Sequence, residues 1–180
     1  MDTEMKRIMS ERDIERSLNR MALQILEFNP GVENIALVGI HTGGVFLADR
    51  IHKLLEEREN ISLPVGSLDI TLYRDDWSLV SQNPVVKKTG LNFSVENKTL
   101  ILVDDVVFTG RTIRAALDAI MDFGRPRCIQ LAVLIDRGGR EVPIQPDFTG
   151  MDVLVQSNEH VHVRLKENAE NDEVVLETVL

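Results

Sequence analysis

The sequence predicts an α/β domain, a mainly parallel sheet flanked by helices with a small β-rich hood at the C-terminal end, and three observations lead there. Apolar runs at "NIALVGI", "TLILVDD" and "CIQLAVLID" alternate with segments of helical period. Strands buried on both faces and joined by right-handed crossovers read this way. Polar, glycine-bearing stretches follow those runs, "HTGG", "DDVVFTGRT" and "DRGGRE", and ligands of such sheets bind at the C-terminal edge of the strands. Beyond residue 140 the helical period disappears and short strand-like pieces take over. No Pro/Gly/Ser-rich linker divides the 180 residues, of which 43% are hydrophobic, so one domain is expected. Its core spans about residues 10–139, a mobile loop about 75–98 and the hood about 140–180.

The elements follow in chain order. "SERDIERSLNRMALQILEF" carries Ser10 and Asp13 at capping-box spacing, and Ile14, Leu18, Met21, Ala22 and Ile25 at i, i+4, i+7, i+8 and i+11, which makes an amphipathic helix. "NIALVGI" (34–40) is a strand, "HTGG" a loop, and Leu47, Ile51, Leu54 and Leu55 mark the next helix. "PVGSLDITLYR" (64–74) reads as a strand. The polar residues 75–98, with Trp77, Lys87 and Lys88, read as a long loop, and loops of that length in compact domains are functional lids or binding loops. After "TLILVDD", Ile113, Ala116, Leu117, Ile120 and Met121 trace a helix that stops at Gly124 and Pro126, before the strand "CIQLAVLID". "MDVLVQ", "HVHVRL" and "EVVLETV" build the hood, and the acidic "KENAENDE" reads as a solvated turn.

Composition excludes several classes. A formal charge of −9 argues against wholesale nucleic-acid coating and leaves only a local basic patch for RNA. The single cysteine, Cys128, forms no internal disulfide and reads as a small buried strand residue. The start lacks the apolar core of a signal peptide, and no apolar run approaches the ~20 residues of a membrane span, so a cytoplasmic protein without a membrane partner is expected. His52, His160 and His162 show no metal-ligand spacing. There is no G-x-x-x-x-G-K-[ST] and no G-x-G-x-x-G after a strand, which disfavours nucleoside triphosphate and dinucleotide folds.

The residues at the end of "TLILVDD" carry the chemistry. Asp104 and Asp105 are adjacent like charges closing an apolar strand, an arrangement that raises both pKa values unless a ligand binds them. Paired carboxylates suit vicinal sugar hydroxyls and attract Mg²⁺ directly or through water. Thr109, Gly110, Arg111 and Thr112 then open a helix, where main-chain N–H groups and the helix dipole favour a phosphate. Gly110 permits close approach, the threonines supply short donors, and the Arg111 side chain either adds charge or faces solvent. Together these residues fit a sugar phosphate.

"ILVDDVVFTGRT" resembles the phosphoribosyl-pyrophosphate (PRPP) motif of the type I phosphoribosyltransferases. With "DITLYRDD", "FGRP", "IQLAVLIDRGGREVPI" and "DFTG", the chain from about residue 10 onward resembles one family among them, the bifunctional pyrimidine operon regulators and uracil phosphoribosyltransferases of the PyrR type. The resemblance implies the type I phosphoribosyltransferase fold and Mg²⁺-dependent transfer from PRPP to uracil in pyrimidine salvage, giving UMP and pyrophosphate. It implies that Leu100 to Thr112, with Val106, Val107 and Phe108, binds PRPP; Asp104 and Asp105 hold the ribose hydroxyls and Thr109 to Thr112 the 5′-phosphate. Thr42, Gly43 and Gly44 cradle pyrophosphate, Arg74 closes over it and completes the catalytic set, and Asp136 and Arg137 approach the nucleotide. No metal ligand is firmly assigned: PRPP carries the Mg²⁺, assisted by Asp104 and Asp105. A homodimer or larger homo-oligomer is implied.

Two departures stand out. Many relatives carry basic residues where this chain has His41 and Gly43, so charge at the pyrophosphate loop is lost or taken over by Arg74. Purine-using relatives place a carboxylate where Phe108 stands, which speaks against purines and leaves no evident general base. The family also implies binding of pyrimidine-operon leader RNA, modulated by uridine nucleotides. Arg12, Arg16 and Arg20, four apart on the first helix, form a candidate basic stripe, although Glu11, Asp13 and Glu15 interleave and a salt-bridged solvent face explains the same pattern. The alternative function is mainly an RNA-binding attenuation regulator that senses nucleotides through the PRPP site with little catalysis.

Overall fold

The computed structural model describes residues 3–60, 62–75 and 89–180; Trp77, Lys87, Lys88 and most of the expected loop lie outside the described residues. The chain opens with strand β1 (Thr3–Ser10) and helix α1 (Glu11–Phe28). Ser10 joins them through a capping box: the Asp13 N–H donates to Ser10 Oγ at 3.4 Å and the Ser10 N–H donates to Asp13 Oδ2 at 2.9 Å. The Ser10 donors, and after them Arg16, hold the Asp13 carboxyl well below the usual carboxylate range. The apolar face read from the spacing is the buried one: Ile14, Leu18, Met21, Ala22 and Ile25 are all in the core.

Strand β2 (Ile35–Ile40) leads into helix α2 (Gly43–Glu59), and strand β3 (Val65–Leu68) ends before a short 3₁₀ turn, Thr71–Tyr73. Strand β4 (Thr99–Val107), helix α3 (Arg111–Met121), strand β5 (Cys128–Asp136) and strand β6 (Phe148–Asp152) follow. Strands β7 (Glu159–Arg164) and β8 (Glu173–Val179) close the chain. The main sheet runs β3-β2-β4-β5-β6 with every pairing parallel. Its strands are apolar on both faces, and successive residues alternate between them. Leu37, Ile101 and Val103 meet α1 and α2 through Ile14, Leu47 and Ile51, whereas Val38, Leu100 and Leu102 meet α3 through Ile113, Ala116 and Ile120. No helix among the described residues is long and apolar enough to cross a membrane.

The hood is an antiparallel sheet of order β1-β8-β7. Its composition differs from the expected 140–180: the N-terminal residues 3–10 supply one of its strands, and β6 belongs to the main sheet. Residues 64–74 are a four-residue strand and a turn rather than one strand, because Asp69 Oδ1 accepts from the Thr71 N–H at 2.9 Å and bends the chain. The end of the segment expected to be a loop is packed down. Gly90 exchanges two main-chain hydrogen bonds with Ser67, and Val95 is fully buried. Cys128 is exposed, contrary to its expected burial, because it begins β5 at the sheet's N-terminal edge.

The acidic segment 166–173 is a largely exposed turn, as expected, but it is anchored through one buried residue, Asp172. Arg50 of α2 forms a bidentate pair with Asp172 (2.6 and 2.8 Å) and a second with Glu167 (2.9 and 2.6 Å), and Asp172 is buried. This guanidinium ties the hood to the main body, and its N–H groups hold both carboxyls below their usual values. Lowered carboxyls contribute stability above their unfolded pKa values, and the contribution is lost as pH falls through the folded ones. Arg50→Met, which strands the buried Asp172 carboxylate, is expected to reduce unfolding free energy by about 2 kcal/mol at pH 7. Urea titration should show the difference from wild type shrinking toward pH 3.

Candidate active site

Strand β4 lies in the middle of the sheet and is apolar from Leu100 to Val103, and its two charged residues follow at the C-terminal end. Asp104 is 6% exposed. Its Oδ1 accepts from the Asp105 N–H at 3.0 Å, and Asp105 Oδ1 accepts from the Val106 N–H at 2.8 Å. No ion pair among the described residues neutralises either carboxylate. Burial first, and then the Asp105 charge, pushes the Asp104 carboxyl well above its ordinary value; burial also raises Asp105. A buried carboxylate and its half-buried neighbour, neither of them neutralised, form at a cavity mouth a site organised for a partner the chain does not supply.

The loop after β2 packs directly on that pair. A Cβ at Gly43 would lie 2.4 Å from Asp105 Oδ2, and one at Gly44 would lie 2.2 Å from the Val103 carbonyl oxygen, so any side chain there pushes the loop off β4. The His41–Thr42 peptide is cis, and Gly43 and Gly44 form the first turn of α2 rather than a loop before it. The close approach of Gly43 sets the helix N-terminus beside Asp105, with its free N–H groups.

On the other side, Gly110 sits at φ 87° and turns β4 into α3, a conformation glycine adopts without strain. The Arg111 N–H donates to Thr109 Oγ1 at 3.3 Å, and the Thr109 carbonyl accepts from the N–H groups of Glu141 (2.9 Å) and Val142 (3.2 Å). The Thr109–Thr112 turn is thus buttressed from outside, with its main-chain N–H groups at the start of an 11-residue helix.

A 430 Å³ cavity joins these parts: Thr42, Gly43, Arg74, Asp104, Asp105, Val106 and Thr112 line it, together with His41, Asp69, Thr71 and the hood residues Val163, Leu165 and Asn168. An adjoining 250 Å³ recess is lined by Arg74, Asp75, Thr109, Arg111, Thr112 and Glu141. Of the residues singled out from the sequence, Gly44 and Val107 lie beneath the site in the packed layer. The hood residues were missed, although the alternation of β7, with Val161 and Val163 inward and His160 and His162 outward, carried the signal.

Phe108, Asp136 and Arg137 form a neighbouring cluster. The Arg137 guanidinium lies 3.9 Å over the Phe108 ring, and a Cβ at Gly139 would meet that ring at 2.5 Å. Asp136 is turned to Arg140, 2.5 Å from Nη2, and accepts from the Gly138 N–H at 2.9 Å. Burial alone would raise the Asp136 carboxyl, but these donors outweigh it and hold it below its ordinary value. Arg12, Arg16 and Arg20 do not reach the cavity. Arg16 pairs with Asp13 at 2.5 Å, Arg20 Nη2 donates to the carbonyls of Thr149 and Gly150 on β6, and Arg12 lines a separate depression with Arg7 and Glu15.

No group of three or more His, Cys, Asp or Glu side chains among the described residues can cage a metal. The donor set fits Mg²⁺ in another way: this ion keeps its waters and binds through one or two carboxylates plus substrate phosphates, and Asp104 and Asp105 are such carboxylates.

Comparison with known proteins defines the class. The family model described as the phosphoribosyl transferase domain matches residues 4–170. Among solved structures, a hypoxanthine-guanine phosphoribosyltransferase of Bacillus anthracis superposes with a TM-score of 0.70 at 17% identity, covering 99% of this chain and 100% of that one. A hypoxanthine phosphoribosyltransferase of Trypanosoma cruzi gives 0.69 at 20% identity, covering 95% of each. These show the fold. The bifunctional protein PyrR of Pelotomaculum thermopropionicum is 52% identical over 99% of both chains, and that of Syntrophobacter fumaroxidans 51% identical over 94% of this chain and 91% of its own. The chain belongs to the phosphoribosyltransferase family and, within it, to the family of the bifunctional protein PyrR.

The carboxylate pair has a measurable consequence for stability. Because the folded protein raises the Asp104 pKa, it binds protons more tightly than the unfolded chain, so this residue's penalty grows as pH rises from the unfolded value through the folded one. Asp104→Asn is expected to raise the melting temperature of the ligand-free protein by about 3 °C at pH 8. Calorimetry at pH 8 and pH 4.5 should show the gain at the higher pH and little of it at the lower.

Proposed function

We propose that the protein transfers the phosphoribosyl group of PRPP to uracil, forming UMP and pyrophosphate, and that it also regulates pyrimidine operon expression in response to uridine nucleotides. The observation that carries the transferase half is the unneutralised Asp104–Asp105 pair, the first buried and the second half-buried, between two helix N-termini, in a chain about half identical to proteins named bifunctional. Asp104 and Asp105 hold the ribose 2′- and 3′-hydroxyls as acceptors. The N–H groups and hydroxyls of Thr109 to Thr112 hold the 5′-phosphate, and Thr42 to Gly44 with Arg74 hold the pyrophosphate. Asp104 and Asp105 would hold Mg²⁺ brought in with PRPP, and the ion would supply charge neutralisation for the leaving group.

As the bond to C1′ breaks, positive charge grows on the ribose and negative charge on pyrophosphate, so fixed donors and carboxylates on opposite sides stabilise the transition state. Val163 and Leu165 cover the cavity from the hood and exclude water. Phe108 stands at the base end as an apolar ring under Arg137; its lack of charge and the family membership together support a pyrimidine acceptor, with Asp136 and Arg137 beside it. The protein acts in the cytoplasm as a homo-oligomer.

UMP formation from uracil, PRPP and Mg²⁺ tests this reading, with hypoxanthine, guanine and orotate as competing acceptors. Uracil alone is expected to be used, and Asp104→Asn/Asp105→Asn to lower turnover at least about a hundredfold. Turnover with hypoxanthine equal to that with uracil, or full activity in the double variant, would falsify the assignment.

Leader RNA is the proposed partner of the regulatory half, engaged through the outward members of the first-helix stripe, Arg12 and Arg16, since Arg20 is held to β6 by main-chain acceptors. Such binding should fall steeply between about 50 and 200 mM salt, because phosphate contacts release counterions. If a filter-binding titration at the lower salt detects no complex, the regulatory half is wrong.

A further inference from the structure

Helix α3 grips the segment that carries Arg74 at three points. Arg111, in its first turn, donates from Nη1 to Asp75 Oδ2 at 2.6 Å. Arg114, one turn on, donates from Nη2 to the Tyr73 carbonyl at 3.3 Å, and the Tyr73 hydroxyl donates to Asp122 just past the helix end. The same Arg111 guanidinium donates from Nε to Glu141 Oε2 at 2.5 Å. Glu141 in turn gives its main-chain N–H to the Thr109 carbonyl. One side chain therefore fastens the Thr109–Thr112 turn, residues 73–75 and residues 139–142 together.

We infer that Asp75, Arg111 and Glu141 form a latch that sets Arg74 in place for the pyrophosphate group, with Arg111 acting as a positioning residue rather than as a phosphate ligand. Two carboxylates outweigh one guanidinium, so this cluster offers an incoming phosphate no net attraction. Both the Nε edge and Nη1 of Arg111 are already engaged, and the 5′-phosphate is left to main-chain N–H groups and threonine hydroxyls. Arg74 lines both the main cavity and the recess beside Arg111, and it is covalently next to Asp75. Holding Asp75 fixes the direction from which the Arg74 side chain enters the cavity. The 5′-phosphate turn and the pyrophosphate side of the site are thereby mounted on one rigid helix, which holds the two ends of PRPP at a constant spacing.

The three side chains are 41% to 52% exposed. Ion pairs so exposed contribute little to global stability, so the latch shows in ligand discrimination rather than in melting temperature. The inference rests on the phosphoribosyl reading of the site, and the test separates the two. Affinities for PRPP with Mg²⁺ and for UMP are measured by titration calorimetry on wild type, Asp75→Asn, Asp75→Glu and Glu141→Gln, with a thermal melt of each. UMP carries the ribose and 5′-phosphate but no pyrophosphate. Asp75→Asn is expected to weaken PRPP about tenfold and UMP less than about twofold, with an unchanged melt; Asp75→Glu should restore most of the loss, and Glu141→Gln should show a smaller loss confined to PRPP.

Unchanged PRPP affinity in Asp75→Asn overturns the latch. So does an equal loss for PRPP and UMP, or a loss that tracks a lowered melting temperature. A wild-type protein that binds PRPP but makes no UMP from uracil would instead sink the transfer reaction, and the latch would still be decided by the two affinities.

Discussion

Two adjacent carboxylates, Asp104 buried and Asp105 half-buried, close the central strand, and no cation among the described residues is paired with them. Everything around the cavity follows from that constraint. Like charges at low dielectric oppose folding, so the arrangement persists only because the apolar length of β4, from Leu100 to Val103, is locked between two helical layers. Gly43 and Gly44 are required for the same reason, since the loop after β2 must lie flat on Asp105 and the Val103 carbonyl. The ligand-free protein is thus less stable than it need be at neutral pH. In the proposed reading, a ligand with hydroxyls to donate and a divalent cation to share offsets the penalty.

The parallel topology explains why so few residues suffice. With β4 flanked by β2 and β5, the turns after three adjacent strands reach one edge, and two of them open helices whose N–H groups face the cavity. Anion binding then needs no large basic patch, which fits a chain of formal charge −9. The hood completes the enclosure from above. It is fastened by Arg50 to Asp172 and Glu167 and by Lys166 to Glu11, so its inward residues Val163 and Leu165 hold a fixed height over the cavity.

Much of this was legible in the sequence because its cause is local. The period of Ile14 to Ile25, the apolar run ending at Asp104, and a glycine between Thr109 and Arg111 each state their structure within a few residues. The losses have a common origin in contacts between distant parts of the chain. Residues 3–10 became a hood strand only by pairing with 173–179, and Asp172 became a buried anchor only because Arg50 stands opposite. Residues 148–152 joined the main sheet through register with β5, which spacing does not reveal. The evenly spaced arginines of α1 look equivalent in sequence, yet Arg20 is engaged by carbonyls more than a hundred residues away.

The central claim is that Asp104 and Asp105 exist to hold the two ribose hydroxyls. The most direct measurement is the affinity of the wild-type protein for UMP beside its 2′-deoxy and 3′-deoxy analogues, at fixed pH and Mg²⁺. An acceptor pair largely withdrawn from water and left without its donors penalises each analogue, so both should bind about tenfold or more weakly than UMP. Equal affinity for all three would contradict the account and leave the two carboxylates without the partner that explains them.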